Sequence, residues 1–254
     1  MELSNYAFSF SRDTSTSLIY KNTELHFIVR NDTQDNTILI LSELVMDRFS
    51  SDEQNELLLY LYMNKRKIST SRIFIYGMKI HSLKFFKPDM KFSKVFRFIN
   101  YLDDYVPNSK LNRKIHKSFK NYRFSTFADK PTIMEALNLS KHMIYFKNQE
   151  NTKLVSFFLG DNSISLIAYY NESIVGAMFG YLFDDTIYML IHYYNRDYSQ
   201  HYLNQGIYQS FIDECKARKV KKIDWGAVEK NNNGLIYMKK NFSTNIEEAL
   251  IISF

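Results

Sequence analysis

Four strand-like runs follow one another from residue 154 to residue 194, separated by short turns and by no helical pattern. They read LVSFFLG (154–160), ISLIAYY (164–170), SIVGAMFGYLF (173–183) and TIYMLIHYY (186–194). Asp161-Asn162, Asn171-Glu172 and Asp184-Asp185 supply the turns. The pattern predicts an antiparallel meander, and it excludes a doubly wound nucleotide-binding sheet, which needs a helix after nearly every strand. Beyond a polar linker come NQGIYQSFIDECKARK (204–219) and VKKIDWG (220–226). The first predicts a helix over 206–218, opened by Asn204 and Gly206, and the second a strand. A strand, a helix and a strand in this order can leave the free N–H groups of a helix start beside a sheet, where phosphates bind. An ordinary α/β core has the same order, so the chemistry must be argued from more than this.

Ahead of the meander the chain reads as a small α/β lobe. YAFSFS (6–11), LIY (18–20), LHFIVR (25–30) and RIFIYGMKI (72–80) are expected strands, and TILILSELVM (37–46) is buried as either strand or helix. Ser51 is expected to cap a helix with Asp52 and Glu53 in its first turn and Leu57, Leu58, Leu61 and Tyr62 on one face. FSKVFRFINYLDDYV (92–106) reads as a helix ended by Pro107, and PTIMEALNLSKHMIYFKN (131–148) as another, opened by Pro131. Between them, Lys110, Arg113, Lys114, Lys117 and Lys120 recur at helical spacing, with Leu111, Ile115 and Phe119 opposite. That segment is an amphipathic helix with a basic face: a solvated linker, a guide for phosphates, or a nucleic-acid or membrane surface. The expected division is 1–106 as an N-terminal lobe, 107–130 as the basic linker helix and 131–254 as the C-terminal lobe. At the distal end, Asn231 to Gly234 precede a short helix, and IEEALIISF (246–254) is a closing strand.

A chain of 254 residues with 45% apolar content buries a sizeable core. Its +6 formal charge favours an anionic partner and equally fits solubility alone. Its 19 Tyr and 21 Phe serve core and sheet, with a minority available to line a substrate groove. The one cysteine, Cys215, has no partner for a disulfide and reads as a packed small residue, which points to a reducing cytoplasm. MELSNYAFSF lacks the features of a signal peptide, and no apolar run is long enough to span a bilayer. GxGxxG, Walker, HExxH, GxSxG and paired CxxC patterns are absent. His26, His81, His116, His142, His192 and His201 show no metal-ligand spacing, so no metal is expected. A small-molecule transferase working by positioning and backbone hydrogen bonds survives these exclusions.

The pieces AYYNESIVGAMFGYLFDDTIYMLIHYY, NQGIYQSFIDECKARKVKKIDWG and NNNGLIYMKKNFS resemble the GNAT acyltransferase superfamily. The likeness is to its diverged branch, which includes the Fem peptidoglycan aminoacyltransferases and acetyltransferase-like proteins of cell-envelope and polysaccharide clusters. Gly176 and Gly180 match the small residues of a central strand, Asp224 the acid at a strand end, and Tyr237, Lys239 or Lys240 with Phe242 the terminal element. The resemblance runs from residue 107 to the end, and the Q/R-x-x-G-x-G/A phosphate loop is missing, with Gly206 alone in its place. It implies an α+β fold of mostly antiparallel sheet flanked by helices, with two tandem GNAT-like lobes allowed. It also implies transfer of an acyl group to an amine on a small molecule or sugar nucleotide. The donor would be acetyl-CoA, another acyl-CoA or an acyl carrier protein; charged tRNA is the alternative donor, and a non-catalytic binding protein the alternative role. Monomer and dimer are both open. The implied donor-binding residues are Tyr193, Gln205, Gly206, Ile207 and Lys239. The implied catalytic candidates are His192 as base, with Glu229 and Asp224 as alternatives, and Tyr237 as acid for the departing thiolate. Each has a plainer role: a packed or rim histidine, an aspartate bracing its loop, a surface tyrosine, and a glycine chosen for backbone freedom.

Overall fold

The computed structural model describes residues 2–11, 16–31, 37–68, 72–79, 84, 86–140 and 151–254. The fold is a mixed α+β arrangement of mostly antiparallel sheet flanked by helices, as expected. It divides into two compact units, and each is described by itself. The first comprises Met1–Arg97, Ala227–Asn232 and Glu247–Phe254, and the second Phe98–Gly226 and Asn233–Ile246.

In the first unit, α1 (Glu2–Phe10) precedes the antiparallel strands β1 (Thr16–Tyr20), β2 (Thr23–Asn31) and β3 (Thr37–Leu41). Lys21 and Asn22 both take positive φ in the β1–β2 turn, the geometry that matches the twist of a tight hairpin. Two helices, α2 (Glu43–Met46) and α3 (Ser51–Ile68), then cross over to β4 (Arg72–Lys79), which pairs parallel with β3. β11 (Asn245–Ser253) pairs antiparallel with β4. The ambiguous run 37–46 is thus strand and then helix. The cap of α3 is Ser50, one residue before the expected Ser51: its Oγ accepts from the Glu53 amide at 3.4 Å, while Glu53 Oε2 accepts from the Ser50 amide at 2.8 Å.

The second unit holds α4 (Ser109–Asn121), β6 (Arg123–Ser125), α5 (Lys130–Leu139) and α6 (Asn151–Phe158). The meander β7 (Ser163–Tyr170), β8 (Ser173–Phe183) and β9 (Thr186–Tyr194) follows, all antiparallel. Asn171 and Asp184 take the positive φ of the turns assigned to them. A 3-10 turn over Arg196–His201 leads to α7 (Leu203–Ala217), then β10 (Lys222–Glu229) and α8 (Asn233–Asn241). With β5 (Lys91–Tyr101), the strand order is β5-β10-β9-β8-β7-β6.

Three segments differ in type from the sequence expectation. Residues 6–11, expected as a strand, fall largely in α1, where Ser11 Oγ closes the helix end on the Ala7 carbonyl at 2.6 Å. Residues 92–106, expected as a helix, carry β5. Val95, Phe98, Ile99 and Leu102 recur at helical intervals, yet Arg97 and Asn100 between them are buried as well. Both faces of this strand are covered, so the alternation that marks a strand is lost. Arg97 tolerates burial because its guanidinium forks onto the Asp47 carboxylate, Nη1 lying 2.7 Å from Oδ1. Residues 154–160, expected as a strand, form most of α6, in which Leu154, Val155, Phe157 and Phe158 are all buried. A short apolar run carries too few turns to show its period. The expected helix at 131–148 is α5 with Asp129 as cap (Oδ1 to the Thr132 amide, 3.0 Å); residues 141–148 lie outside the described residues.

Candidate functional site

The second unit brings its chemistry together where two parallel strands part. The β9–β10 ladder has three registered pairs, Thr186–Lys222, Ile187–Ile223 and Tyr188–Asp224. β9 continues to Tyr194 in register with β8, while no β10 residue is registered against Met189–Tyr194. The cause lies just past the last pair. Asp224 Oδ1 accepts from the Gly226 amide at 2.7 Å, and Gly226 takes φ +77, which turns β10 aside. Buried Asp224 therefore braces the bend that opens the gap.

The start of α7 lies three residues upstream of Gly206, against the expectation that Gly206 opens the helix. Tyr202 holds the left-handed conformation (φ 62, ψ 35) and makes no side-chain cap bond. Its carbonyl accepts from the Gln205 and Gly206 amides at 3.0 and 3.2 Å, so the Gly206 amide is used inside the helix. The Leu203 and Asn204 amides precede those first helical bonds. Two ammonium groups of α4 stand over the Tyr202 ring, Lys114 at 5.5 Å and Lys117 at 5.9 Å from its centroid. In the first unit the helix in the corresponding crossover is closed to anions, because Ser50 and Glu53 cap it and Asp52 adds a second negative charge.

Gly206 faces α4. A Cβ there would lie 2.1 Å from Ser118 Oγ and 2.5 Å from Phe124 Cζ, so the glycine is needed for helix packing. Ile207 is buried on the sheet side, its Cδ1 in the space a Gly176 side chain would fill. Gln205 donates to the Met238 thioether at 3.7 Å, which ties the first turn of α7 to α8.

His192, on the unregistered half of β9, packs edge-on to Tyr208 (5.1 Å) and stacks with Tyr194 (5.7 Å). Tyr208 in turn contacts Trp225 and Phe242 at 4.9 and 4.8 Å. Asn204, one helical turn before Tyr208, stands beside the imidazole. His192 Nε2, Asn204 Oδ1 and Tyr208 Oη are buried, and none has a hydrogen-bond partner within the protein. Burial, reinforced by the nearby Lys239 ammonium, pushes the imidazole down to about 4. His192 is therefore neutral at neutral pH and a weak base, since a general base works best with a pKa near the working pH. Burial likewise pushes the Tyr208 phenol up, out of reach of ionisation.

Lys239 is buried and donates to the carbonyls of Trp225 and Gly226, fastening α8 to the bend after Asp224. Tyr193 is half-buried on β9, with burial and Asp197 raising its phenol. Tyr237 is 58% exposed on α8. Glu229 is exposed and belongs to the first unit. The structure thus gathers His192, Asp224 and Lys239 about one gap, with Gln205 at the adjoining helix start. Sequence reasoning missed Tyr202 and Tyr208, and did not place the basic helix beside α7; the four-residue spacing of Asn204 and Tyr208 was the available signal. Among the described residues there is no acid–histidine–cysteine cluster fit for a metal, and no helix is long and apolar enough to cross a membrane.

Residues 148–233 match the family model of the acetyltransferase (GNAT) domain. The whole chain shares its fold with FemX (9% identity, TM-score 0.62), covering 98% of this chain and 90% of that one. L-PGS from Bacillus licheniformis is similar in fold at 11% identity and TM-score 0.59, over 94% and 83% of the two chains. A conserved protein of unknown function from Bacteroides thetaiotaomicron matches at 13% identity and TM-score 0.60, over 99% and 90%. No curated protein sequence matches the chain significantly. The matched segment contains the meander, the gap and α7, and the likenesses fit a diverged GNAT branch.

Proposed function

We propose that this chain, whose residues 148–233 match a GNAT acetyltransferase domain, is an N-acyltransferase that takes its acyl group from a thioester lodged where β9 and β10 part. The observation that carries the reading is the three-pair β9–β10 ladder, which leaves the edge of Met189–Tyr194 free of β10 beside an uncapped helix start. Edge amides of that kind suit a developing oxyanion. The Leu203 and Asn204 amides with Lys114 and Lys117 suit phosphates of coenzyme A, and Tyr202 stands in the left-handed position in place of a glycine loop. The chain contains a second strand–helix–strand crossover, and the carboxylate cap on α3 argues that the donor uses the second unit alone.

In this reading the acceptor amine adds to the acyl carbon, the carbon–sulfur bond breaks, the thiolate takes up a proton and the amine loses one. His192, held neutral by its burial, places no competing positive charge beside the amine. The amine then enters as its free base, and Tyr237 remains a candidate for proton transfer. The acyltransferase lobe starts at 131, with 107–130 as its basic guide. The acceptor is an amine on a small molecule or sugar nucleotide.

Titrating the protein with coenzyme A, acetyl-coenzyme A and acyl carrier protein, and following thermal shift and acyl transfer, tests the reading. Binding of one thioester donor, weakened by Lys114→Glu, is expected; no shift with any of them would sink it.

A second reading, transfer from an aminoacyl-tRNA, has its own observation. Residues 107–130 carry seven basic side chains against Asp129 alone, a net charge equal to the +6 of the entire chain. Such a concentration on one helix and its flanks fits a nucleic-acid backbone. Tight tRNA binding that falls steeply with salt, together with failure of every thioester, would move the assignment there.

A further inference from the structure

His192 Nε2 of β9, with Asn204 Oδ1 and Tyr208 Oη of α7, are buried polar atoms without a hydrogen-bond partner in the protein. Their side chains are neighbours. The Tyr208 ring stands edge-on to the imidazole at 5.1 Å, and Asn204, one helical turn before it, interacts with the same imidazole. Tyr208 is fully buried, so its hydroxyl cannot turn to solvent. A buried donor or acceptor left unpaired carries its full desolvation cost, and three in one place call for a shared partner.

The same side chains join the two strands across the gap. From His192 the rings run to Tyr208 and on to Trp225, 4.9 Å further, which lies past the last β9–β10 pair. Trp225 Nε1 donates to the Phe242 carbonyl at 2.7 Å, which fixes that end of the row. Aromatic packing thus takes over where the ladder hydrogen bonds lapse. The His192 end has no such direct bond.

One arrangement around a water molecule uses every hydrogen. Asn204 Oδ1 can only accept, so it takes one water hydrogen. If the second goes to the Tyr208 oxygen, the phenol hydrogen is stranded in the interior. If His192 and Tyr208 both donate to the water, a water hydrogen is stranded instead. Only donation from Tyr208 to the water, and from the water to His192 Nε2, leaves none unpaired. The imidazole proton then sits on Nδ1.

We infer that one buried water molecule links His192 Nε2, Asn204 Oδ1 and Tyr208 Oη, making Asn204 and Tyr208 positioning residues for the open half of β9. A buried water with three protein partners is part of the structure. Asn204 gives its backbone amide to the helix start and its side chain to this water, so the strand edge and the helix start are held together. That positioning role rests on the acyl-transfer reading; the water site stands without it.

Two measurements on the native chain need no variant. Nitrogen-15 NMR of histidine-labelled protein near neutral pH should show His192 protonated on Nδ1. Relaxation dispersion of the solvent oxygen should detect a long-lived water. Tyr208→Phe keeps the ring contacts and deletes the hydroxyl, so it should release that water and mix the two tautomers. Turnover at saturating donor should fall about tenfold while KM for the donor stays within about twofold, the signature of misplaced groups and not of lost binding. A proton on Nε2 in the native chain, or equal dispersion in the native chain and Tyr208→Phe, would overturn the water site. Unchanged turnover in Tyr208→Phe would overturn the positioning role and leave the acyltransferase reading standing. The expected tautomer and dispersion, with no transfer from any thioester, would sink that reading and leave the water site.

Discussion

Gly206 of α7 lies so close to Ser118 of α4 that a methyl group on it would come within 2.1 Å of the serine oxygen. The basic helix is held against the start of α7 by this contact, which brings Lys114 and Lys117 to the Tyr202 ring. Substituting Gly206→Ala should therefore push the helices apart. A loss of about 1–3 kcal/mol is expected, the usual cost of overpacking, visible as a lower urea midpoint. Donor affinity should fall with it as the lysines retreat. An unchanged midpoint would show that the approach is looser than described.

Stability should also respond to pH through His192. Its folded pKa, near 4, lies below the ordinary 6.5, so between those values the unfolded chain binds the proton and the native state does not. The stabilisation is complete above about pH 6.5 and is lost as pH falls toward 4, amounting to about 3 kcal/mol. Comparing urea unfolding of the native chain and His192→Asn at pH 7 and pH 4 isolates this share. The variant should lose about 3 kcal/mol less over that interval, and parallel losses would place the histidine in a more polar setting.

Reversing charge at Lys114 and Lys117 should act on binding and spare the fold. Both ammonium groups stand at the helix start, and neither forms an ion pair among the described residues. The double variant Lys114→Glu/Lys117→Glu is expected to lose at least about tenfold in affinity for a phosphate-bearing donor and to show a shallower salt dependence. Melting should shift by only a degree or two, as for other surface substitutions. Unaltered donor affinity would remove the basic helix from the site.

Cys215 should be inert in the folded protein. It is fully buried on α7, and burial pushes its thiol well above the ordinary range. A thiol reagent should label it only after denaturant is added, because the thiolate is the reactive form. Rapid labelling of the native chain would mean that α7 opens readily.

Removing the Arg97–Asp47 pair from one side should be costly. Asp47→Asn removes the carboxylate onto which a buried guanidinium forks, and about 3–5 kcal/mol of stability should go with it. A smaller loss in chemical unfolding would indicate that water or another group takes over.

The meander shows which parts of this protein are written locally. β7, β8 and β9 were legible because Asn171 and Asp184 sit where a turn needs positive φ and the strands between them are strongly branched and aromatic. α4 was legible from its lysine spacing, and α8 from the residues before it. β5 and α6 were not. In β5, Arg97 is buried against Asp47, fifty residues away and outside any local window, and in α6 eight residues are too few to separate one period from another. The site divides the same way. His192, Asp224 and Gln205 could be nominated from the chain because an imidazole, a strand-end acid and a helix start announce themselves. The depressed basicity of His192, the burial of Lys239 and the use of Gly206 as a packing surface for Ser118 come from contacts between residues far apart in the chain. The amino-acid order alone determined the turns, the periodic elements and the place where a phosphate-binding helix start could lie. Tertiary structure decided which amides remain open, which charges are dehydrated and where the basic helix points, because each depends on desolvation and close approach of segments brought together only by folding.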